Sequence, residues 1–173
     1  AKVKEVTLTL YEGGRHEMLN ETNKKEVYED LFKKMEEMGI NVIPNMKPGI
    51  LQKHPYMDTF VKNDVFVKTP DGQKDYEGRW WGGQGKFVDF TSESGRNTWK
   101  ELLKKTLLAK GSKTVWNDNC EYDGIEDRKA VCDNNGKGGT MEDLKIIHSN
   151  MMAYVGKEAL NEMYPNERPY IIN

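Results

Sequence analysis

Hydrophobic residues recur along this chain with two different periods, and the switches between them mark out its elements. Val6, Leu8 and Leu10 alternate with Thr7 and Thr9, the two-residue period of a strand. From Asn23 to Gly39 the period lengthens. Val27, Leu31, Met35 and Met38 return every three or four residues, which predicts a helix stopped by Gly39. Ile40 to Met46 reads as the next strand, bent or ended by Pro44, because proline donates nothing to a ladder. A second helix is expected from Asn97 to Ala109, burying Trp99, Leu102, Leu103 and Leu107, with a strand at Thr114 to Trp116 after it. Thr140, with Asp143 three residues on, resembles a capping box and opens a third helix to about Tyr164. Tyr170-Ile171-Ile172 closes the series as a strand.

Strands alternating with helices imply a parallel sheet. One connection breaks the rhythm. Residues 48–95 are polar and aromatic, with turns at Pro70-Asp71-Gly72 and Gly82-Gly83, and a connection this long in an α/β domain carries function or a small subdomain. By pattern alone, four strands fit a small doubly wound α/β domain as well as part of a larger barrel.

Composition narrows the function classes. The chain of 173 residues is long enough for one domain with a core. Its 26 basic and 28 acidic residues give a net charge of −2, which provides no electrostatic footing for nucleic acid. No apolar run reaches the roughly 20 residues of a membrane span, and Ala1-Lys2-Val3-Lys4-Glu5 is not the apolar core of a signal peptide. Cys120 and Cys132 form no C-x-x-C pair, so reduced thiols in a cytoplasmic protein are expected. His16, His54 and His148 are scattered and suggest no zinc cluster.

The stretch with the most chemistry is Trp116-Asn117-Asp118-Asn119-Cys120-Glu121, which leaves the Thr114 strand and runs into turn residues at Tyr122-Asp123-Gly124. An indole beside a carboxylate at a strand's C-terminal end suits work on a sugar. The ring offers a face to C–H groups, and the carboxylate can attack or stabilise an anomeric carbon. Two other motifs fall away on inspection. Asn119-x-Glu121-x-Asp123-Gly124 starts like a calcium loop but has Ala130 where that loop needs its final acid. Gly136-Lys137-Gly138-Gly139-Thr140 lacks the phosphate-loop spacing and reads as a flexible connection.

Trp116-x-Asp118-x-x-Glu121 resembles the nucleophile motif W-x-D-M-N-E of glycoside hydrolase family 31, the α-glucosidase and α-xylosidase group. Upstream, Trp81-Gly82-Gly83 through Phe87-Val88-Asp89-Phe90-Thr91 resembles the family's W-P-G-x-x-x-F-P-D-F-T. Downstream, Ile147-His148-Ser149-Asn150 through Ala159-Leu160 and Arg168-Pro169-Tyr170 resembles its helix-then-strand block. Ile40 to Leu51, with Lys47-Pro48-Gly49-Ile50, is similar to an earlier barrel strand. Gly82 and Val88 stand where the family usually has Pro, and Asn119-Cys120 replaces Met-Asn.

The resemblance implies a single partial catalytic domain over 1–173, made of parallel β/α units of a (β/α)8 TIM barrel with the 48–95 connection inserted. It implies a retaining glycosidase acting on terminal α-linked glucosyl or related residues, with Asp118 as the nucleophile and no cofactor or metal. An α-glucosyl transferase with the same nucleophile, or a non-catalytic carbohydrate-binding or structural α/β domain, are the alternatives. Trp81 and Trp116 would touch the sugar. Asp89 is expected to be structural, His148 a packing residue on the third helix, and Glu121 a poor second carboxylate. The family's acid/base would lie outside the chain, so the chain by itself would be inactive. A partial barrel would also leave open edges near Val6 and Tyr170 and favour self-association.

Overall fold

Three short strands from distant parts of the chain lie side by side, all pointing one way. In the computed structural model, which describes residues 8–12 and 24–173, these are β1 (Asn45–Met46), β5 (Thr114–Asn117) and β8 (Tyr170–Ile172), hydrogen-bonded in the order β1-β5-β8. Asn45 pairs with Trp116, and Thr114 with Tyr170, both in parallel register. The order follows the chain without reversing, which is the arrangement of successive β/α units rather than of a doubly wound sheet. The Thr114 and Tyr170 strands lie where their apolar patterns place them.

The strand expected over Ile40 to Met46 is cut to its last two residues. Pro44 lies just before it and still accepts a bond from the Trp116 amide through its carbonyl (3.0 Å), but it has no amide of its own to extend the ladder. Val6 lies outside the described residues. Leu8 and Leu10 are exposed and form no strand, so alternation there is not matched by a neighbouring ladder among the described residues.

Residues 1–42 and 43–173 form two compact units. In the first, α1 (Lys24–Glu37) buries Val27 and half-buries Leu31 and Met35, as its spacing predicts. Gly39 at φ 69° ends it in a Schellman motif: the Ile40 amide donates to Met35 O (2.8 Å) and the Gly39 amide to Glu36 O (2.9 Å).

In the second unit, α3 (Glu93–Thr106) and α4 (Met141–Met163) cover one face of the parallel sheet. Helix α3 starts four residues earlier than its apolar period suggests, because the Ser92 hydroxyl accepts from the Gly95 amide (2.8 Å) and caps it. Buried residues Met141, Leu144, His148, Met152, Val155 and Ala159 on α4 follow three- and four-residue steps. Between the helices and β5, Leu103, Leu108, Val115, Ala159 and Leu160 form a cluster, in which each leucine and the valine contributes about 1.5–3 kcal/mol by leaving water. On β5 only Val115 and Asn117 are buried. Trp116 therefore belongs to the opposite face, where it is 42% exposed together with Tyr170 and Ile172.

The connection over 48–95 folds into β2 (Gly49–Leu51), α2 (Met57–Lys62), β3 (Glu77–Trp80) and β4 (Gly83–Phe87). Strands β2, β4 and β3 make an antiparallel sheet in that order. Its hairpin meets the loop after β5 so closely that a Cβ on Gly78 would lie 2.0 Å from Gly124 O, which only glycine allows. A small antiparallel pair, β6 (Val131–Cys132) and β7 (Gly139–Thr140), leads into α4.

Candidate active site at the strand ends

Asp118 is the first residue beyond β5, and its amide donates to Met46 O at the end of β1 (2.8 Å). The carboxylate therefore projects from the C-terminal edge of the parallel sheet. Asn45 and Lys47, from the end of β1, reach it from the neighbouring strand. The Asn45 side-chain amide donates to Asp118 Oδ2 (3.0 Å), and the Lys47 ammonium is ion-paired with the same oxygen. Asp118 Oδ1 accepts only the Asn119 amide (2.9 Å) among the hydrogen bonds of the described residues. The Lys47 ammonium, and after it the Asn45 amide, holds the Asp118 carboxyl below the usual carboxylate range. The group is an anion at neutral pH, with its side chain 29% exposed.

Asn119 joins the strand end to the inserted hairpin. It sits at φ 51°, a left-handed conformation that asparagine tolerates. Its side-chain oxygen accepts from Lys47 Nζ (2.8 Å) and from the Trp81 indole N–H (3.0 Å). Trp81 is the first residue of the two-residue turn between β3 and β4, and Gly82 beside it takes φ 82°. Proline, fixed near −65°, could not stand at Gly82, so this departure from the motif has a conformational reason. Trp81 remains 67% exposed, with its ring free to meet a ligand. A depression of about 400 Å³ lies beside it, bounded by Asn45, Lys47, Lys53, His54, Trp80 and Trp81. A larger groove of about 760 Å³ lies away from these residues, and the charges of Lys68 and Lys86 in it are answered by Asp75.

The loop after Asp118 is anchored from below. Tyr122 is fully buried at φ 62°, its hydroxyl donates to Val88 O, and its ring stacks on His148 at 4.5 Å. Asn117 and Asn173 tie the ends of β5 and β8 through their side chains (3.1 Å). Glu121 is exposed on the turn and, among the described residues, has no hydrogen bond or ion pair. The structure thus brings Asp118 and Trp81 to one edge through Asn119, puts Trp116 on the adjoining open face, and leaves Glu121 apart.

Asp89 is a structural carboxylate. It accepts from the Thr91 amide (2.8 Å), the Thr91 hydroxyl (2.6 Å) and the Asp133 amide (2.7 Å), binding the start of α3 to the β6–β7 loop. Asp89, Cys132 and His148 are buried with ligand atoms within 4.8 Å of one another, a set that could hold a metal by residue type. The hydrogen bonding opposes it. His148 Nδ1 accepts from the Phe90 amide (3.2 Å), which puts the proton on Nε2 and leaves no lone pair there for an ion. Burial pushes the His148 imidazole down to about 4, with Asp89 partly opposing, and raises the Cys132 thiol. This cluster packs and positions; it is not reactive.

Sequence reasoning named Asp118 and Trp81 but missed Lys47, Asn45 and Asn119 as the partners that hold them. The signal was present in Asn45-Met46-Lys47-Pro48, a polar residue and a cation at the end of a β-type run.

Comparison with known proteins agrees with this fold. The family model described as the glycosyl hydrolases family 31 TIM-barrel domain matches residues 12–173. Alpha-glucosidase 2 of Bacillus thermoamyloliquefaciens is 27% identical over 157 residues, covering 87% of this chain and 19% of that protein. A dextranase of the same family from Flavobacterium johnsoniae, complexed with glucose, superposes with a TM-score of 0.73 at 21% identity, over 86% of this chain and 19% of its own. An α-xylosidase from a soil metagenome, complexed with xylose, does so with a TM-score of 0.65 at 19% identity, over 79% and 20%. The chain spans about a fifth of the length of these relatives. From the matched family model and the parallel strand order together, the chain belongs to glycosyl hydrolase family 31, as a portion of its TIM-barrel domain.

Proposed function

We propose that this chain supplies the nucleophile half of a retaining α-glycosidase that cleaves terminal α-linked glucosyl or related residues. The observation that carries the reading is Asp118: an ionised carboxylate at the C-terminal edge of a parallel strand, held by two donors at one oxygen and one at the other, with an exposed tryptophan tied to the residue beside it. Barrel enzymes work at this edge because their βα loops converge there. Asp118 Oδ1 attacks the anomeric carbon and forms a glycosyl ester. A second carboxylic acid protonates the leaving oxygen and then activates water, from a position about 5–5.5 Å away in a retaining enzyme. Among the described residues no hydrogen bond joins a second carboxyl group to Asp118. The reading assigns that role to a group outside this chain, and residues 1–173 alone are expected to be inactive.

Trp81 and Trp116 are proposed to stack on the sugar. The similar proteins named above are an α-glucosidase, a dextranase and an α-xylosidase, which supports a carbohydrate substrate. Cys120 and Cys132 are free thiols, in keeping with the cytoplasm as the proposed compartment.

The test is stereochemical. Proton NMR of the full-length protein acting on an α-glucoside should show the α-anomer of glucose first, and the Asp118→Asn variant should show no release. A β-anomer appearing first would reject the covalent route.

A further inference from the structure

Lys47 stands at the point where the β1 end, the β5 end and the hairpin tip meet. Its ammonium touches Asp118 Oδ2 and Asn119 Oδ1, and Asn119 Oδ1 also takes the Trp81 indole N–H. Asp118 Oδ2 already carries two donors, Asn45 and Lys47, whereas Oδ1 carries one, the Asn119 amide. The two oxygens are therefore inequivalent before any sugar arrives. One is bound to the neighbouring strand, and the other retains an open lone pair.

We propose that Lys47 is the positioning residue of the reaction: it holds Asp118 by Oδ2 so that Oδ1 is the attacking oxygen, and it stabilises the carboxylate again when the second step releases it. This rests on the reading of Asp118 as the nucleophile. In the first step the Oδ1–C1 bond forms and the bond from C1 to the leaving oxygen breaks, that oxygen taking its proton from the second carboxylic acid. Asp118 then bears no charge, and the Lys47 ammonium keeps a partner in Asn119 Oδ1, so it is not stranded at the barrel edge. In the second step water, deprotonated by the same second acid, attacks C1. The electron pair of the Oδ1–C1 bond returns to Asp118, where Lys47 stabilises the carboxylate as it leaves.

Geometry separates this role from a merely structural ion pair. A structural pair would need only to join β1 and β5. Here the cation is shared between the carboxylate and the amide oxygen that also fixes Trp81, so the nucleophile and the aromatic wall are set by one donor. Lys47 is the one charged side chain facing Asp118 among the described residues; the other groups against it, Asn45 on β1 and the backbone of Asn119, are neutral.

The experiment measures kcat/KM against pH in the full-length protein on an aryl α-glucoside, whose good leaving group makes nucleophilic attack the sensitive step. Wild type is compared with Lys47→Met and Lys47→Arg. The loss of a charge-assisted hydrogen bond is expected to lower kcat/KM about ten- to hundredfold in Lys47→Met and to move the acid limb to higher pH. Lys47→Arg should restore the acid limb. If Lys47→Met does not fold, as judged by circular dichroism, Lys47→Gln is measured in its place with the same expectation. A Lys47→Met or Lys47→Gln enzyme with the wild-type rate and acid limb overturns the proposal. Full activity in Asp118→Asn, or an inactive wild type, overturns the nucleophile reading and the Lys47 role with it, and so is distinguishable from a failure of Lys47 alone.

Discussion

Lys47, at the end of β1, closes on Asp118, at the end of β5, so that a cation on one strand fixes the carboxylate of the next. The contact bridges 71 positions of sequence and exists only because the two strands pair in parallel, Asn45 opposite Trp116. Fold and candidate chemistry are therefore the same fact seen at two scales: the register of the sheet decides which residue faces Asp118.

Trp81 and Trp116 should affect substrate binding without affecting stability. Both are substantially exposed, and surface substitutions of this kind stay within about 0.5 kcal/mol of wild type. In the full-length protein Trp81→Phe, which keeps a ring but loses the bond to Asn119, should raise KM less than Trp81→Ala. Trp116→Ala should raise it also. Thermal melts and steady-state kinetics measured together check this. A large fall in melting temperature with KM unchanged would assign the rings to packing.

Much of the architecture was legible in the chain. The spacing of Val27, Leu31 and Met35 marked a helix, Gly39 its stop, and Thr114 to Trp116 a strand, because those signals are local. Signals that depend on distant partners were not legible. Thr140 does stand at the N-cap of α4, yet its hydroxyl donates to Asp143 Oδ2 (3.1 Å) and accepts no helix amide. The position could be read from sequence and the bond could not. Tyr122, buried at a positive φ beneath the loop after Asp118, had no sequence signal beyond its place in a turn. Asn45 and Lys47 needed the parallel register before their role could be seen.

His148 makes stability depend on pH in a defined direction. Its folded-state value is lowered to about 4 from an ordinary 6.5 by burial. Above the ordinary value both states are neutral and the contribution is complete. As pH falls through the interval between the two values the unfolded chain takes up a proton that the folded chain refuses. Stability should then drop by about 1.4 kcal/mol per pH unit from this group, and the drop should level off below the folded value. Urea unfolding at about pH 7, 6 and 5 measures the slope. His148→Gln, which can still accept the Phe90 amide, should flatten it.

The open face of the parallel sheet should drive association of the 173-residue chain. Trp116, Tyr170 and Ile172 are exposed there, and among the described residues β1 and β8 each pair along one side only. Light scattering at micromolar concentration should find a dimer or larger species burying more than about 1,000 Å² in total, and Trp116→Lys should weaken it. A monomer of 20.0 kDa that unfolds cooperatively would contradict this.

The central claim is that Asp118 is the nucleophile, and trapping the glycosyl ester tests it most directly. The full-length protein is incubated with a fluorinated α-glucosyl fluoride, which forms the ester readily and hydrolyses slowly, then digested and mapped by mass spectrometry. The expected result is one sugar adduct on the peptide containing Asp118, lost in Asp118→Asn. An adduct on Glu121, Asp89 or any other carboxylate, with Asp118 unmodified, would contradict it.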